Sequence, residues 1–132
     1  MSIIDAHGID ETLSGVLTSE LARVTSIFEN QITSEWSPVT DLGAHVARYH
    51  GKMLRPTLVF LSGLAVSRES RSKDITEAHR IVAAVTEMIH LATLVHDDVL
   101  DESVVRRNGP TVNSIHGNEV AVMLGDYLIS NA

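Results

Sequence analysis

The run Glu87-Met88-Ile89-His90-Leu91-Ala92-Thr93-Leu94-Val95-His96-Asp97-Asp98-Val99-Leu100-Asp101-Glu102 constrains this chain more than any other. Its apolar residues recur at helical spacing, and it ends in a cluster of carboxylates. At about 100° per residue, His90, Asp97 and Asp101 fall within roughly 40° of one another and so share one face. Acids crowded on one turn repel each other and oppose the negative end of the helix dipole. A cation is therefore expected beside them. Carboxylate oxygens suit Mg²⁺, which is usually held by one or two carboxylates together with phosphate oxygens and water. Asp97 and Asp101 stand one turn apart, Asp98 lies beside them, and Arg106 and Arg107 follow within reach of anionic oxygens on the same ligand. The pattern points to a metal-bridged phosphate. An acidic helix end can also be a plain solvated terminus. Here the preceding turns (Met88, Ile89, Leu91, Leu94, Val95) are apolar, and a buried helix rarely ends in unpaired acids.

A chain of 132 residues suits one domain, 1–132, and 44% hydrophobic content with Trp36 as the sole tryptophan suits an aliphatic helical core. Ten basic residues against 17 acidic ones, a net charge of −7, argue against a nucleic-acid surface. The absence of cysteine excludes disulfides, thiolate nucleophiles and zinc–thiolate sites. No apolar run approaches about 18 residues, and the first residues lack the basic start and apolar stretch of a signal peptide, so a cytoplasmic location without a transmembrane segment is expected.

Apolar positions from Ile9 to about Glu35 (Leu13, Leu17, Leu21, Val24, Phe28, Ile32) predict a long amphipathic helix. Pro38 opens a second, running through Leu42, Val46 and Tyr49. After the polar connector 67–73, Asp74 with Glu77 reads as a capping box for a helix reaching about Glu102. Asn108-Gly109-Pro110 breaks the chain, and a last helix runs from about Gly117 or Asn118 to the end without a cap, its apolar faces lacking a later partner. With no repeat and no sustained strand alternation, the expected class is all-α.

His50-Gly51-Lys52-Met53-Leu54-Arg55-Pro56 is the second informative stretch. Gly51 permits a turn and Pro56 presets a helix start, so Lys52 and Arg55 sit at the mouth of an apolar helix. Cations there lie against the dipole, an arrangement that makes sense with an anion between them. An ordinary loop with two solvated cations fits equally, and the spacing is not that of a nucleotide P-loop.

Together, Gly51-Lys52-Met53-Leu54-Arg55-Pro56, His90 through Asp101, Arg106-Arg107-Asn108-Gly109-Pro110-Thr111-Val112-Asn113 and Gly125-Asp126-Tyr127-Leu128 resemble the trans-isoprenyl diphosphate synthases, in the family's order and spacing. The resemblance implies an isoprenoid synthase-type bundle of long helices around a deep cavity, normally a homodimer. It implies that Asp97 and Asp101, with Asp98 less directly, hold Mg²⁺ that bridges to an allylic prenyl diphosphate. By the same resemblance Arg106 contacts the allylic diphosphate, and Arg107, Gly51, Lys52, Arg55 and His90 hold isopentenyl diphosphate. Asp97, Asp101 and Arg106 are the implied catalytic residues. Met53 stands where the family often has arginine.

The implied reaction ionises the allylic carbon, lets the alkene of isopentenyl diphosphate attack, and loses a proton, with cations stabilising the departing diphosphate. The growing tail is expected along the apolar wall below Asp97, where the small Ala92 and Thr93 favour a medium or long product. The family's second aspartate-rich motif has no match after Asp101. The chain therefore reads as an incomplete bundle: an N-terminal half, or the small subunit of a two-component enzyme, completed by a missing C-terminal half or partner in a homo- or hetero-oligomer, and doubtfully active alone. Other readings are a non-catalytic regulatory or scaffolding subunit, a class I terpene cyclase and a histidine metal site. The cyclase does not need the Gly51–Pro56 segment. His90 and His96 point apart, and His7, His45, His50, His79 and His116 read as surface or packing histidines.

Overall fold

The computed structural model describes residues 11–33, 37–49, 51–66, 75–107 and 109–132. Among these are six helices, α1 (Glu11–Ile32), α2 (Ser37–Ala47), α3 (Leu54–Val66), α4 (Glu77–Leu100), α5 (Val112–His116) and α6 (Asn118–Ser130), and a two-stranded antiparallel ribbon of β1 (Val105–Arg106) and β2 (Gly109–Pro110). The class is all-α, as the periodicity predicts. The ribbon and α5 are additions to the expected elements. The expected connector 67–73 and the Asp74 cap lie outside the described residues.

The chain divides into two units, Met1–Phe28 with Gly51–Glu87, and Glu29–His50 with Met88–Ala132. In the first, α1, α3 and the start of α4 enclose Leu17, Val24, Phe60, Ile75, Ala83 and Ala84. Met53 and Val59 pack against this cluster. Burying such side chains stabilises by roughly 1.5–3 kcal/mol each for the larger ones, which is what holds short helices that would be marginal alone. Glu20 and Arg80 tie α1 to α4: Arg80 donates through Nε to Glu20 Oε2, through Nη2 to Glu20 Oε1 at 3.1 Å, and through Nη1 to Glu77 Oε2 at 3.1 Å. The hydrogen bonds from Arg80 hold the Glu20 carboxyl below the usual carboxylate range, against the opposing effect of burial. Thr76 precedes α4 and donates its backbone N–H to His79 Nδ1 at 3.1 Å, one arm of a capping box with histidine in the place of glutamate. Gly63 permits this: a Cβ there would meet His79 Nε2 at 2.6 Å.

In the second unit, α2 packs against α5 and α6. The buried side chains include Val46, Tyr49, Met88, Leu91, Ala92, Val95, Leu124 and Leu128. Two close approaches need glycine. A Cβ at Gly43 would come within 3.1 Å of Ile32 O, and one at Gly125 within 2.0 Å of His96 Nε2. Gly125 thus explains part of the Gly-Asp-Tyr-Leu motif: it leaves room for the His96 ring, which bonds Val122 O at 3.2 Å. The last helix does have a cap. Asn131 donates both its backbone N–H (3.1 Å) and its side-chain amide (2.8 Å) to Tyr127 O.

By length and composition α4 could cross a membrane, although the sequence shows no unbroken apolar run of that length. A core helix passes the same test, and α4 carries Glu87 and Asp98 buried along its length.

Candidate functional site

The end of α4 is built by its own backbone. Ser103 N–H donates to Asp98 O at 2.9 Å and Glu102 N–H to Val99 O at 3.3 Å, with Glu102 at φ 51°. This is a Schellman motif, completed by a glutamate where glycine is usual. Asp101 is therefore the capping residue, and its N–H still reaches Asp97 O at 2.8 Å, keeping the two acids one turn apart on one face. Both side chains are exposed, and among the described residues neither has a hydrogen-bond or ion-pair partner.

Asp98 behaves differently. It is buried at 1% exposure and is gripped by Arg106, whose Nε donates to Oδ1 at 2.9 Å and Oδ2 at 3.0 Å while Nη2 lies 2.9 Å from Oδ1. The bond to Asp98 raises the Arg106 guanidinium above its ordinary range, and burial works against it. The sequence reading grouped Asp98 with the metal-facing acids. Its oxygens are instead committed to Arg106, because a 100° step turns residue 98 from the face of residue 97 into the interior.

The ribbon that delivers Arg106 is fastened by the next motif. Thr111 caps α5 by accepting from Ser114 N–H at 3.3 Å and donates its hydroxyl to Ser103 O at 2.7 Å. The Asn113 amide donates to Asp98 O and Ser103 O, each at 3.1 Å. Arg107 occupies the turn between β1 and β2 at φ 48°, a left-handed conformation that a bulky residue adopts at some cost in strain.

A small cavity of about 140 Å³ opens beside the ribbon, walled by Arg48, Arg106 and Arg107 over His45, Tyr49 and Pro110. His45 is buried; its Nε2 lies 2.9 Å from Pro110 O and its Nδ1 2.5 Å from Arg48 Nη2. A carbonyl can only accept and a guanidinium only donate, so the ring meets an acceptor at Nε2 and a donor at Nδ1. Sequence reasoning read His45 as an ordinary packing residue and passed over Arg48. Nothing local could have found them, since the carbonyl that orients the ring is 65 residues away. The Tyr49 hydroxyl is buried, and burial first, then the Asp98 carboxylate, push the phenol above its usual range, against the Val112 backbone and the charges of Arg106 and Arg48.

His90 is half-buried on α4, and its carbonyl accepts from Thr93 Oγ1 at 2.7 Å. Gly51, Lys52 and Arg55 belong to the first unit, where all three are exposed at the start of α3. Met53 between them has φ 51°, and its carbonyl accepts both the Thr57 N–H (3.1 Å) and hydroxyl (2.7 Å). The residue that departs from the family pattern thus anchors the segment by packing on the core. Ala92 is fully buried, whereas Thr93 is exposed on the face of Asp97. Of the two small residues expected to line a tail path, only Thr93 is accessible. Among the described residues no three acidic or histidine side chains converge as a metal cage.

Residues 37–132 match the polyprenyl synthetase family model. The chain belongs to the polyprenyl synthetase family. It is 37% identical over 122 residues to solanesyl diphosphate synthase 2, chloroplastic, of Arabidopsis thaliana, covering 92% of this chain and 29% of that relative. Among solved structures it resembles a decaprenyl diphosphate synthase from Rhodobacter capsulatus, with a TM-score of 0.76, 34% identity, and coverage of 92% of this chain and 36% of that one. It also resembles a polyprenyl synthase from Caulobacter crescentus complexed with calcium and isoprenyl diphosphate, with a TM-score of 0.77, 29% identity, and coverage of 90% and 34%. The chain spans about a third of the length of these relatives and corresponds to their N-terminal portion.

Proposed function

We propose that the chain is the N-terminal part of a cytoplasmic Mg²⁺-dependent trans-prenyltransferase, which joins isopentenyl diphosphate to an allylic prenyl diphosphate and makes a medium- or long-chain polyprenyl diphosphate. The observation that carries this is the exposed pair Asp97 and Asp101, one turn apart at the negative end of α4 and without a partner among the described residues, beside a ribbon that presents Arg107. Two hard-oxygen carboxylates on a helix end fit Mg²⁺. When bound, the ion supplies positive charge to a diphosphate. The Caulobacter relative, complexed with a hard divalent cation and an isoprenyl diphosphate, supports the same donor chemistry.

In this reading Asp97 and Asp101 hold the metal, and Asp98 serves by fixing Arg106, whose remaining donors face the allylic diphosphate. Arg107, Lys52, Arg55, His90 and the open backbone at Gly51 bind isopentenyl diphosphate. No side chain acts as a nucleophile; the arginines and lysine stabilise charge on the departing and retained diphosphates. Titration of the chain with farnesyl diphosphate tests this. Binding should require Mg²⁺ and should fall by at least tenfold in Asp97→Asn and in Asp101→Asn, and binding indifferent to Mg²⁺ and to both substitutions would sink the reading.

A second reading, a non-catalytic subunit that assembles with a catalytic one, is favoured by an apolar groove of about 700 Å³ between α2 and α6, lined by Pro38, Val39, Leu42, Val120, Met123 and Tyr127. Apolar openings of this size suit a further packed segment, either more of the same chain or a second subunit in a homo- or hetero-oligomer. Turnover of isopentenyl and farnesyl diphosphates by the chain in the absence of any partner would exclude it.

A further inference from the structure

We infer that Asn113 is a positioning residue for the metal-binding pair: its side-chain amide ties a strained loop at the end of α4 and so fixes Asp101 one turn from Asp97. This role rests on the proposed reading that the pair holds Mg²⁺, and Asn113 acts on the pair only through the backbone.

The loop runs from Asp98 to Ser103. Its own closure is the bond from Ser103 N–H to Asp98 O at 2.9 Å, with Glu102 N–H on Val99 O at 3.3 Å inside it. Asp101 lies within that loop, and the residue after it, Glu102, stands at φ 51°. Glycine usually takes this place in a Schellman end, because a side chain strains the left-handed conformation. A glutamate there makes the loop costly to close, and helix ends fray readily. A tie from outside the loop offsets that cost.

Asn113 is such a tie. It lies on α5, ten residues past Ser103, and its Nδ2 donates to Asp98 O and to Ser103 O, each at 3.1 Å. These are the first and last residues of the loop. Both partners are carbonyls, which only accept, so only the amide nitrogen fits between them. Asp98 O thereby takes two bonds, from Ser103 N–H and from Asn113, which uses both of its lone pairs. Ser103 O likewise takes two, the second from the Thr111 hydroxyl at 2.7 Å. Thr111 is fully buried and caps α5, so the amide stands on an element that is itself anchored. With both ends held, the Asp101 N–H keeps its bond to Asp97 O at 2.8 Å. A metal bridging the two carboxylates then meets a site already formed. Where the loop frays, the metal must first close it, and its apparent affinity falls in proportion to the fraction of chains that are closed.

The test is the Mg²⁺ concentration that gives half-maximal binding of farnesyl diphosphate to the full chain, read by calorimetry. Asn113→Leu, of similar size and without donors, should raise that midpoint about tenfold, the worth of one to two net hydrogen bonds. In chains that also carry Glu102→Gly, the same substitution should raise it by less than about threefold over Glu102→Gly alone, since glycine closes the loop without strain. Glu20→Gln, which loosens the first unit, should leave the midpoint in place and so tells a general loss of stability apart. An unmoved midpoint in Asn113→Leu, a full shift in the Glu102→Gly background, or an equal shift in Glu20→Gln would each overturn the positioning role. Farnesyl diphosphate binding that ignores Mg²⁺ in the wild type would instead overturn the metal-binding reading, and the positioning role with it. Should Asn113→Leu not fold, side-chain amide exchange in the wild-type chain decides. The Asn113 protons should exchange about tenfold or more slowly than those of exposed Asn118, and equal rates would overturn the tie.

Discussion

Arg106 holds Asp98 through Nε and Nη2 at 2.9 Å, joining a fully buried carboxylate on α4 to a strand eight residues further along the chain. Removing one partner of a buried pair leaves an uncompensated charge or an empty site, at about 3–5 kcal/mol. Asp98→Ala is therefore expected to lower the unfolding free energy by about 3 kcal/mol in urea titration. Asp97→Ala, at an exposed position, should change it by less than about 0.5 kcal/mol. Equal effects of the two would show that the Asp98 pair does not organise the ribbon.

That contrast also marks the limit of sequence reading at this site. The spacing of Leu17, Val24, Phe28 and of Met88, Leu91, Val95 made α1 and α4 legible, because a 3.6-residue period is a local signal. It also put His90, Asp97 and Asp101 on one face. The same period aligns Asp98 with Leu91 and Val95 and so turns it inward, but what meets it there depends on where the ribbon returns, and that is decided by Thr111 and Asn113 reaching back to Ser103 O and Asp98 O. Thr111 followed by Ser114 was a readable cap signal for α5 that went unused. His45 and Arg48 had none, since their partners are tertiary. The ribbon is only two residues per strand, too short for alternation to register.

Gly125 and His96 form the tightest interlock in the second unit. A Cβ at residue 125 would sit 2.0 Å from His96 Nε2, so Gly125→Ala must displace the ring from Val122 O or push α6 away. Overpacking of this kind costs about 1–3 kcal/mol. The double variant Gly125→Ala with His96→Ala should recover much of that loss, because the clash is gone. Simple additivity of the two single effects in a thermal unfolding series would mean that the glycine serves some other contact.

The acid limb of stability should report Glu20. Its carboxyl is held low first by the hydrogen bonds from Arg80 and then by the charges of Arg80 and Arg23. A depressed folded value means that the stabilisation is complete above the unfolded value near about 4.3 and is lost as pH falls through the folded one. Glu20→Gln should cost about 1–3 kcal/mol at pH 7 and show a shallower decline below pH 4 than the wild type. A variant whose acid limb runs parallel to the wild type would assign that limb to other carboxylates.

Ala92 and Thr93 separate packing from product length. Ala92 lies fully buried on the face of Met88 and Val95, while Thr93 is exposed one turn below Asp97 and donates to His90 O at 2.7 Å. Ala92→Phe must force a ring into a filled interior and should cost about 1–3 kcal/mol. Thr93→Phe places the same ring on the open face, with a stability change within about 0.5 kcal/mol. If, as proposed, Asp97 and Asp101 bind the metal and a prenyl tail descends below them along that face, Thr93→Phe should shorten the products of an enzyme that contains this chain. Chromatography of the products checks this. Unchanged product length in Thr93→Phe would place the tail against another wall, and an Ala92→Phe chain as stable as the wild type would show that the interior around Met88 and Val95 has room the structure does not display.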